Sequence, residues 1–162
     1  VQKAFRFYFL RMIDLQQTTS DNEAFRLLIR ELDKELRSLY NETQSVYDQY
    51  NIIENNKNVI VAYKDGVAAG CGCFKKFDDH SAEIKRMYVK PEYRGQKIAA
   101  SILIALEKWA KELDFSSAVL ETGNKQHVAI HLYQKSGYIV TENYGQYKNM
   151  PESICMYKPL PE

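Results

Sequence analysis

Apolar residues recur at spacings of three and four from Phe25 through Leu28, Ile29, Leu32, Leu36 and Leu39, a period that predicts an amphipathic helix with its polar face in solvent. Thr18, Thr19, Ser20 and Asp21 stand ahead of it as N-cap choices. The same period returns at Ile98, Ile102, Leu103, Leu106, Trp109, Ala110 and Leu113, leaving Lys108, Lys111 and Glu112 as a solvated face. Between these helices the pattern changes. Residues 59–63 and 67–77 flank Lys64-Asp65-Gly66, and Asp-Gly tolerates the positive φ of a hairpin turn. A second turn at Asp78-Asp79-His80 leads into residues 81–90, so three antiparallel strands are predicted in succession. Upstream, the aromatic run at 5–13 suits an opening strand, and 45–58, with Val46, Tyr47, Tyr50, Ile52 and Ile53, suits a short helix that breaks at Asn55-Asn56. Downstream come a buried strand at 116–122 and a short helix at 128–136 stopped by Gly137. Closing strands follow at 138–142 and 154–157, joined by a loop with Tyr144, Gly145, Tyr147, Met150 and Pro151. The predicted order is β, α, α, β, β, β, α, β, α, β, β.

Composition narrows the classes. A chain of 162 residues is sized for a single domain, 1–162, and its hydrophobic content of 45% is that of a globular protein. Lys+Arg 22 against Asp+Glu 21 leaves +1, so no global field draws the protein to nucleic acid or an anionic membrane, and any recognition of charge must be local. The 12 tyrosines are better spent in a core and a pocket than on stacked bases, because no basic stripe accompanies them. No apolar run approaches the roughly 18 residues of a membrane span, and no signal core opens the chain, which reads as cytoplasmic. Cys71, Cys73 and Cys155 are odd in number, and the first two share one face of a strand, so they read as reduced core residues. His127 and His131 have the spacing of a helical zinc pair but lack H-E-x-x-H and a third ligand, so no metal is expected.

The chemistry concentrates where the strand at 81–90 empties through Lys90-Pro91-Glu92-Tyr93-Arg94-Gly95-Gln96-Lys97 into the helix beginning at Ile98. The first turn of a helix carries unpartnered N–H groups and the positive end of the macrodipole, so a turn that aims amides inward holds an anion. Neither a P-loop string nor G-x-G-x-x-G occurs. Arg94-Gly95-Gln96-Lys97-Ile98-Ala99, with its strand and helix, resembles the R-x-x-G-x-[GA] signature of the GNAT superfamily of acyl-CoA-dependent N-acetyltransferases. Leu132-Tyr133-Gln134-Lys135-Ser136-Gly137-Tyr138 resembles the L-Y-x-k-x-G-[FY] element of the same family. The likeness covers the second half of the chain, and the first half matches in layout. Lys97 departs from the pattern, standing where the family usually has its middle glycine, and it predicts altered more than lost binding.

The resemblance implies an α/β (α+β) fold with a mixed, mostly antiparallel central sheet and helices on both faces, and acetyl-CoA as co-substrate. It implies that the strand bulges and splays near Met87, giving the Met87 N–H to the thioester oxygen and the Val89 N–H to the pantetheine arm, with Tyr88 between them. The pyrophosphate then falls to Arg94 and the turn Gly95, Gln96, Lys97, Ile98 and Ala99. Gln126 stands near a position where the family often has asparagine. Tyr133 matches the tyrosine that protonates or hydrogen-bonds the departing thiolate, and Glu83 resembles the general base of the histone-acetylating branch, with Glu121 on the next strand as the other carboxylate in reach.

The acceptor pocket falls to the parts least like the family: the first two helices around Tyr40, Tyr47 and Tyr50, the strand residue Arg86, and the loop residues Tyr144 and Tyr147. Tyrosine hydroxyls, Arg86 and carboxylates together suit an amine that also bears an anionic group. The expected reaction is direct transfer of acetyl to a primary amine of a small molecule in a ternary complex, since no cysteine stands where a covalent nucleophile would. A protein amine as acceptor and a non-catalytic acyl-CoA-binding or sensor domain are the alternatives, and exposed edge strands would permit a homodimer.

Overall fold

The computed structural model describes residues 13–161. The expected opening strand at 5–13 therefore lies outside the described residues except for Ile13, which begins β1 (Ile13–Thr18). The elements that follow are α1 (Glu23–Tyr40), α2 (Gln44–Asp48), β2 (Val59–Lys64), β3 (Val67–Lys76), β4 (Ser81–Val89), α3 (Ile98–Glu112), β5 (Ser117–Gly123), α4 (His127–Lys135), β6 (Ile139–Thr141) and β7 (Ser153–Pro159). Strands β1 to β7 form one mixed sheet in the order β1-β2-β3-β4-β5-β7-β6, in which only β4 and β5 run parallel.

Alternation along the strands separates two apolar layers. Val59 and Val61 of β2, with Cys71, Cys73 and Tyr88, bury Phe25, Leu28 and Leu32 of α1. Ile60 and Ala62 face the other way, joining Phe74, Ile84 and Leu120 against Ile98, Ile102, Leu103, Leu106 and Ala110 of α3 and Tyr133 of α4. All three cysteines are free and buried, and Cys71 and Cys73 donate Sγ–H to the carbonyls of Arg86 and Lys85.

Local differences from the sequence reading have local causes. Asn22, not one of the four residues before it, caps α1, its side chain accepting from the Phe25 N–H at 3.0 Å. Tyr40, not Leu39, closes the buried face of α1. The second helix stops at Asp48 after little more than a turn, and Val46 and Ile52 stay exposed. Glu107 is buried in α3, paired at 2.6 Å with Lys158 of β7, where periodicity alone sees a polar position.

Two departures from regular pairing make the site. Cys71 opposes Tyr88 while Cys73 opposes Lys85, so β4 spends one residue more than β3 over the same interval. The extra residue sits at Arg86, whose φ of 58° is left-handed. Gly72 accommodates the bulge: a Cβ there would lie 2.5 Å from Met87 Sδ. The parallel ladder between β4 and β5 extends only from Ser81 with Ser117 to Ile84 with Leu120. Beyond it the two strands diverge.

Candidate active site

Into the divergence opens a cavity of about 80 Å³, lined on the β4 wall by Ile84, Lys85, Arg86 and Met87 and on the β5 wall by Glu121, Thr122 and Gly123. Tyr133 and Gln126 of the α4 region also line it, and Leu32, Leu36, Tyr40, Gln44, Tyr47 and Asn51 complete it from the first two helices and the segment after them. Tyr40 reaches its place because β5 ends in glycine: a Cβ on Gly123 would stand 1.9 Å from the Tyr40 hydroxyl. That hydroxyl accepts from the Lys125 N–H at 3.0 Å.

The backbone at the splay faces the opening. Lys90 N–H donates to Ala69 O on β3, so the alternation of an extended chain turns the amides of Val89 and Met87 to the opposite edge, which β5 has left. The turn that follows passes through a short 3₁₀ segment at Pro91–Tyr93, through Gly95 at φ 76°, and through Lys97 at φ 63°, ψ 13°. The left-handed φ explains why glycine suits this position, and Lys97 holds it at a cost of about 1 kcal/mol. Its side chain is exposed and does not cap α3, so the first-turn amides keep their hydrogens for a ligand. Gln96 and Gly95 are exposed, no atom stands within 4 Å of a Cβ position on Gly95, and Ile98 is anchored in the core. Arg94 is taken up by the protein. Its Nε donates to Val89 O at 2.9 Å, a terminal nitrogen bonds Glu35 at 2.7 Å, and the guanidinium lies 5.8 Å from the centre of the Tyr88 ring. It fastens the turn to α1. Tyr88 itself is buried against α1, its hydroxyl donating to Glu31 at 3.3 Å.

The two carboxylates named from the sequence have different surroundings. Glu121 lines the cavity and accepts from Ser153 Oγ at 2.7 Å. Burial pushes its carboxyl above the usual range, against the opposing effects of that hydrogen bond and of Lys85. Glu83 is only 2% exposed and is absent from the cavity lining. Lys75 and Lys85 each stand 3.6 Å from it, and the Tyr144 hydroxyl donates to it at 3.3 Å. Tyr147, almost wholly buried, accepts from Lys85 Nζ at 3.2 Å. Tyr144 and Tyr147 therefore pack with Glu83 and Lys85 instead of lining the cavity. Tyr133 is buried, its ring edge-on to Tyr138 at 5.8 Å, and desolvation followed by the charge of Glu121 raises its phenol well above 10.

Lys85, which the sequence reading passed over, lines the cavity at 8% exposure, and burial lowers its ammonium against the raising effect of Glu83. Its signal lay in Glu83-x-Lys85, two charges on one face of a strand whose neighbouring residues Ala82 and Ile84 are apolar. The Arg86 bulge had its own signal in Gly70-x-Gly72, glycines inside a strand pattern. Among the described residues no three His, Cys, Asp or Glu side chains converge as a metal centre requires, and His127 and His131 are both exposed. No described helix is long and apolar enough to cross a membrane.

Known proteins resemble this chain in sequence and in fold. The profile of the acetyltransferase (GNAT) family matches residues 21–138. An IAA acetyltransferase of Azospirillum brasilense is 35% identical over 135 residues, spanning 82% of this chain and 88% of that one. A crystal structure from Klebsiella pneumoniae subsp. pneumoniae, assigned as an acyl-CoA N-acyltransferase, superposes with a TM-score of 0.75 at 30% identity over 93% of this chain and 99% of its own. A GNAT family acetyltransferase from Elizabethkingia anophelis, solved with acetyl-CoA bound, shares the fold, with a TM-score of 0.66 at 22% identity over 91% of this chain and 98% of its own. With its family profile matched over residues 21–138 and a relative 35% identical over 82% of its length, the chain belongs to the GNAT family of N-acetyltransferases.

Proposed function

We propose that the protein, acting as one unit over 1–162, transfers acetyl from acetyl-CoA to the primary amine of a small molecule in a ternary complex. The observation that carries this reading is the cavity between the diverging β4 and β5, where an edge of free backbone amides meets a half-buried carboxylate and a tyrosine. Acetyl-CoA supplies an activated carbonyl on a thiol leaving group. The residues present fit it: the uncapped first turn of α3 and the turn at Gly95 and Lys97 suit its pyrophosphate, and the Val89 amide suits its extended arm.

The chain's own groups then divide the work. An amine of pKa about 10.4 must lose a proton at neutral pH, which costs about 4 to 5 kcal/mol. Glu121 takes that proton, because it faces the cavity and burial has made it more basic than an ordinary glutamate. As the new C–N bond forms, negative charge grows on the carbonyl oxygen, where the Met87 N–H, already fixed in the bulged strand, stabilises it without reorganisation. The C–S bond breaks and the thiolate takes a proton, with Tyr133 as the hydroxyl placed to give it or to hydrogen-bond the sulfur. Glu83, boxed between two lysines and Tyr144, holds the wall instead of meeting the amine.

The test is thiol release from acetyl-CoA over a panel of small amines and peptides, with wild type and Glu121→Gln in parallel. Amine-dependent release that Glu121→Gln abolishes supports the reading. Binding of acetyl-CoA with no release for any amine refutes it, and undiminished release by Glu121→Gln refutes the role given to that residue.

A further inference from the structure

Lys85 and Arg86 are the part of the cavity wall that acetyl transfer to a plain amine does not use. Both line the cavity, and they are only 8% and 7% exposed. An ammonium has three N–H donors. That of Lys85 makes one hydrogen bond, to the Tyr147 hydroxyl at 3.2 Å, and its ion pair with Glu83 stands at 3.6 Å, beyond a good hydrogen bond. Arg86 gives a terminal nitrogen to Asp33 at 2.5 Å, but its Nε is buried with no partner. Buried donors left unpaired cost stability, and buried cations cost more. The chain keeps two of them adjacent, one in a left-handed conformation.

Their placement says what would repay that cost. Lys85 and Arg86 stand on the β4 wall, and Glu121 stands on the β5 wall of the same cavity. The acids nearest the two cations, Glu83 and Asp33, do not line it; Asp33 matches Arg86, but Glu83 is shared between Lys75 and Lys85, which leaves one positive charge over at the β4 wall. One wall positive and the other negative complements a small molecule that carries both charges. We propose that the acceptor is an amino acid or similar amino-carboxylate, its carboxylate held by Lys85 and Arg86 while its amine faces Glu121. The inference rests on the acetyl-transfer reading above and narrows its substrate. A carboxylate is acceptor-only with two oxygens, and it matches the spare donors of an ammonium and a guanidinium.

The experiment compares kcat/KM, by thiol release from acetyl-CoA, within matched sets: an α-amino carboxylate, its primary carboxamide and its decarboxylated amine, for acidic, basic, polar and aromatic side chains. For the wild type we expect the carboxylate member of at least one set to lead its partners by about 100-fold, the usual scale of a buried charge-assisted contact. Lys85→Met, which keeps the stem and removes the charge, should lower kcat/KM for that member at least about tenfold more than for its carboxamide, chiefly through KM. A merely structural role for Lys85 would lower both alike. Arg86→Lys should shrink the same preference, and if it does not fold Lys85→Met decides alone. Equal or faster turnover of the carboxamide and amine in every set, or a uniform loss in Lys85→Met, overturns this inference and leaves acetyl transfer standing. No turnover of any amine, with acetyl-CoA still raising the melting temperature, overturns the acetyl-transfer reading and this one with it.

Discussion

The two sides of the cavity are built from different material. On the side proposed for the donor the groups available are backbone: the amides of Met87 and Val89, and those of the turn from Gly95 into α3, where an exposed lysine holds a left-handed φ. On the side proposed for the acceptor they are side chains: Glu121 held by Ser153, Tyr40 lodged over Gly123, and Lys85 and Arg86 tied to Tyr147 and Asp33. A backbone site tolerates changes of side chain but not of conformation. A side-chain site behaves in the opposite way, and substitutions on each side should separate donor binding from acceptor turnover.

The largest effect is expected from Glu121→Gln, which should lower kcat/KM for the amine by about 100-fold or more, the scale of a lost general base, with the affinity for acetyl-CoA unchanged by calorimetry. The sign of the pH dependence follows from its raised pKa. The carboxylate acts when deprotonated, so wild-type kcat/KM should fall as pH drops through a value above the ordinary glutamate range, and the variant should lose that limb. A raised folded-state pKa also means that ionised Glu121 opposes folding above that pKa. Glu121→Gln should therefore melt higher than wild type at neutral pH while being nearly inactive, and equal or lower melting would contradict the burial argument.

Tyr133→Phe comes next, at about tenfold in kcat if hydrogen bonding to the sulfur outweighs full proton transfer. An unchanged kcat would return Tyr133 to the core. Gly123→Ala tests the acceptor side by shape alone. The new methyl displaces the Tyr40 hydroxyl, so KM for the amine should rise several-fold while acetyl-CoA binds as before. A loss of acetyl-CoA binding instead would show that the two sides are not separable.

The smallest effect belongs to the donor turn. Lys97→Gly should relieve the left-handed strain and raise stability by about 1 kcal/mol, or roughly 2 to 4 °C in Tm, read by calorimetry at constant acetyl-CoA affinity. A weaker hold on acetyl-CoA would mean that the lysine charge, not the turn, does the binding.

The same division explains what could be read in the sequence. The order of elements from the first long helix onward and the faces of α1 and α3 were legible because burial imposes a period of 3.6 on any helix that covers a sheet. The turn was legible because a backbone conformation restricts the residues that can adopt it. The acceptor wall was not. Lys85 reads as a surface lysine until β4 is known to be covered on both faces, and Glu83 and Glu121 read alike until one falls inside the cavity and the other behind its wall. Tyr144 and Tyr147 were seen as pocket residues because tyrosine in a loop near a cleft suits that role, and only the packed chain shows them bonded to Glu83 and Lys85. Such distinctions depend on contacts between residues some sixty positions apart in sequence, which no local pattern encodes.

The brevity of the parallel ladder has a mechanical side. Among the described residues, four residue pairs, from Ser81 with Ser117 to Ile84 with Leu120, are the whole strand ladder between a half-sheet of β1 to β4 and a half-sheet of β5, β7 and β6. The halves resemble the covers of a book bound along a short spine, with the cavity as the gap between them. Thermal opening should begin at Ile84 and Leu120, where the ladder ends, and run toward Ser81 and Ser117, so that any molecule filling the cavity should act as a clasp on the motion.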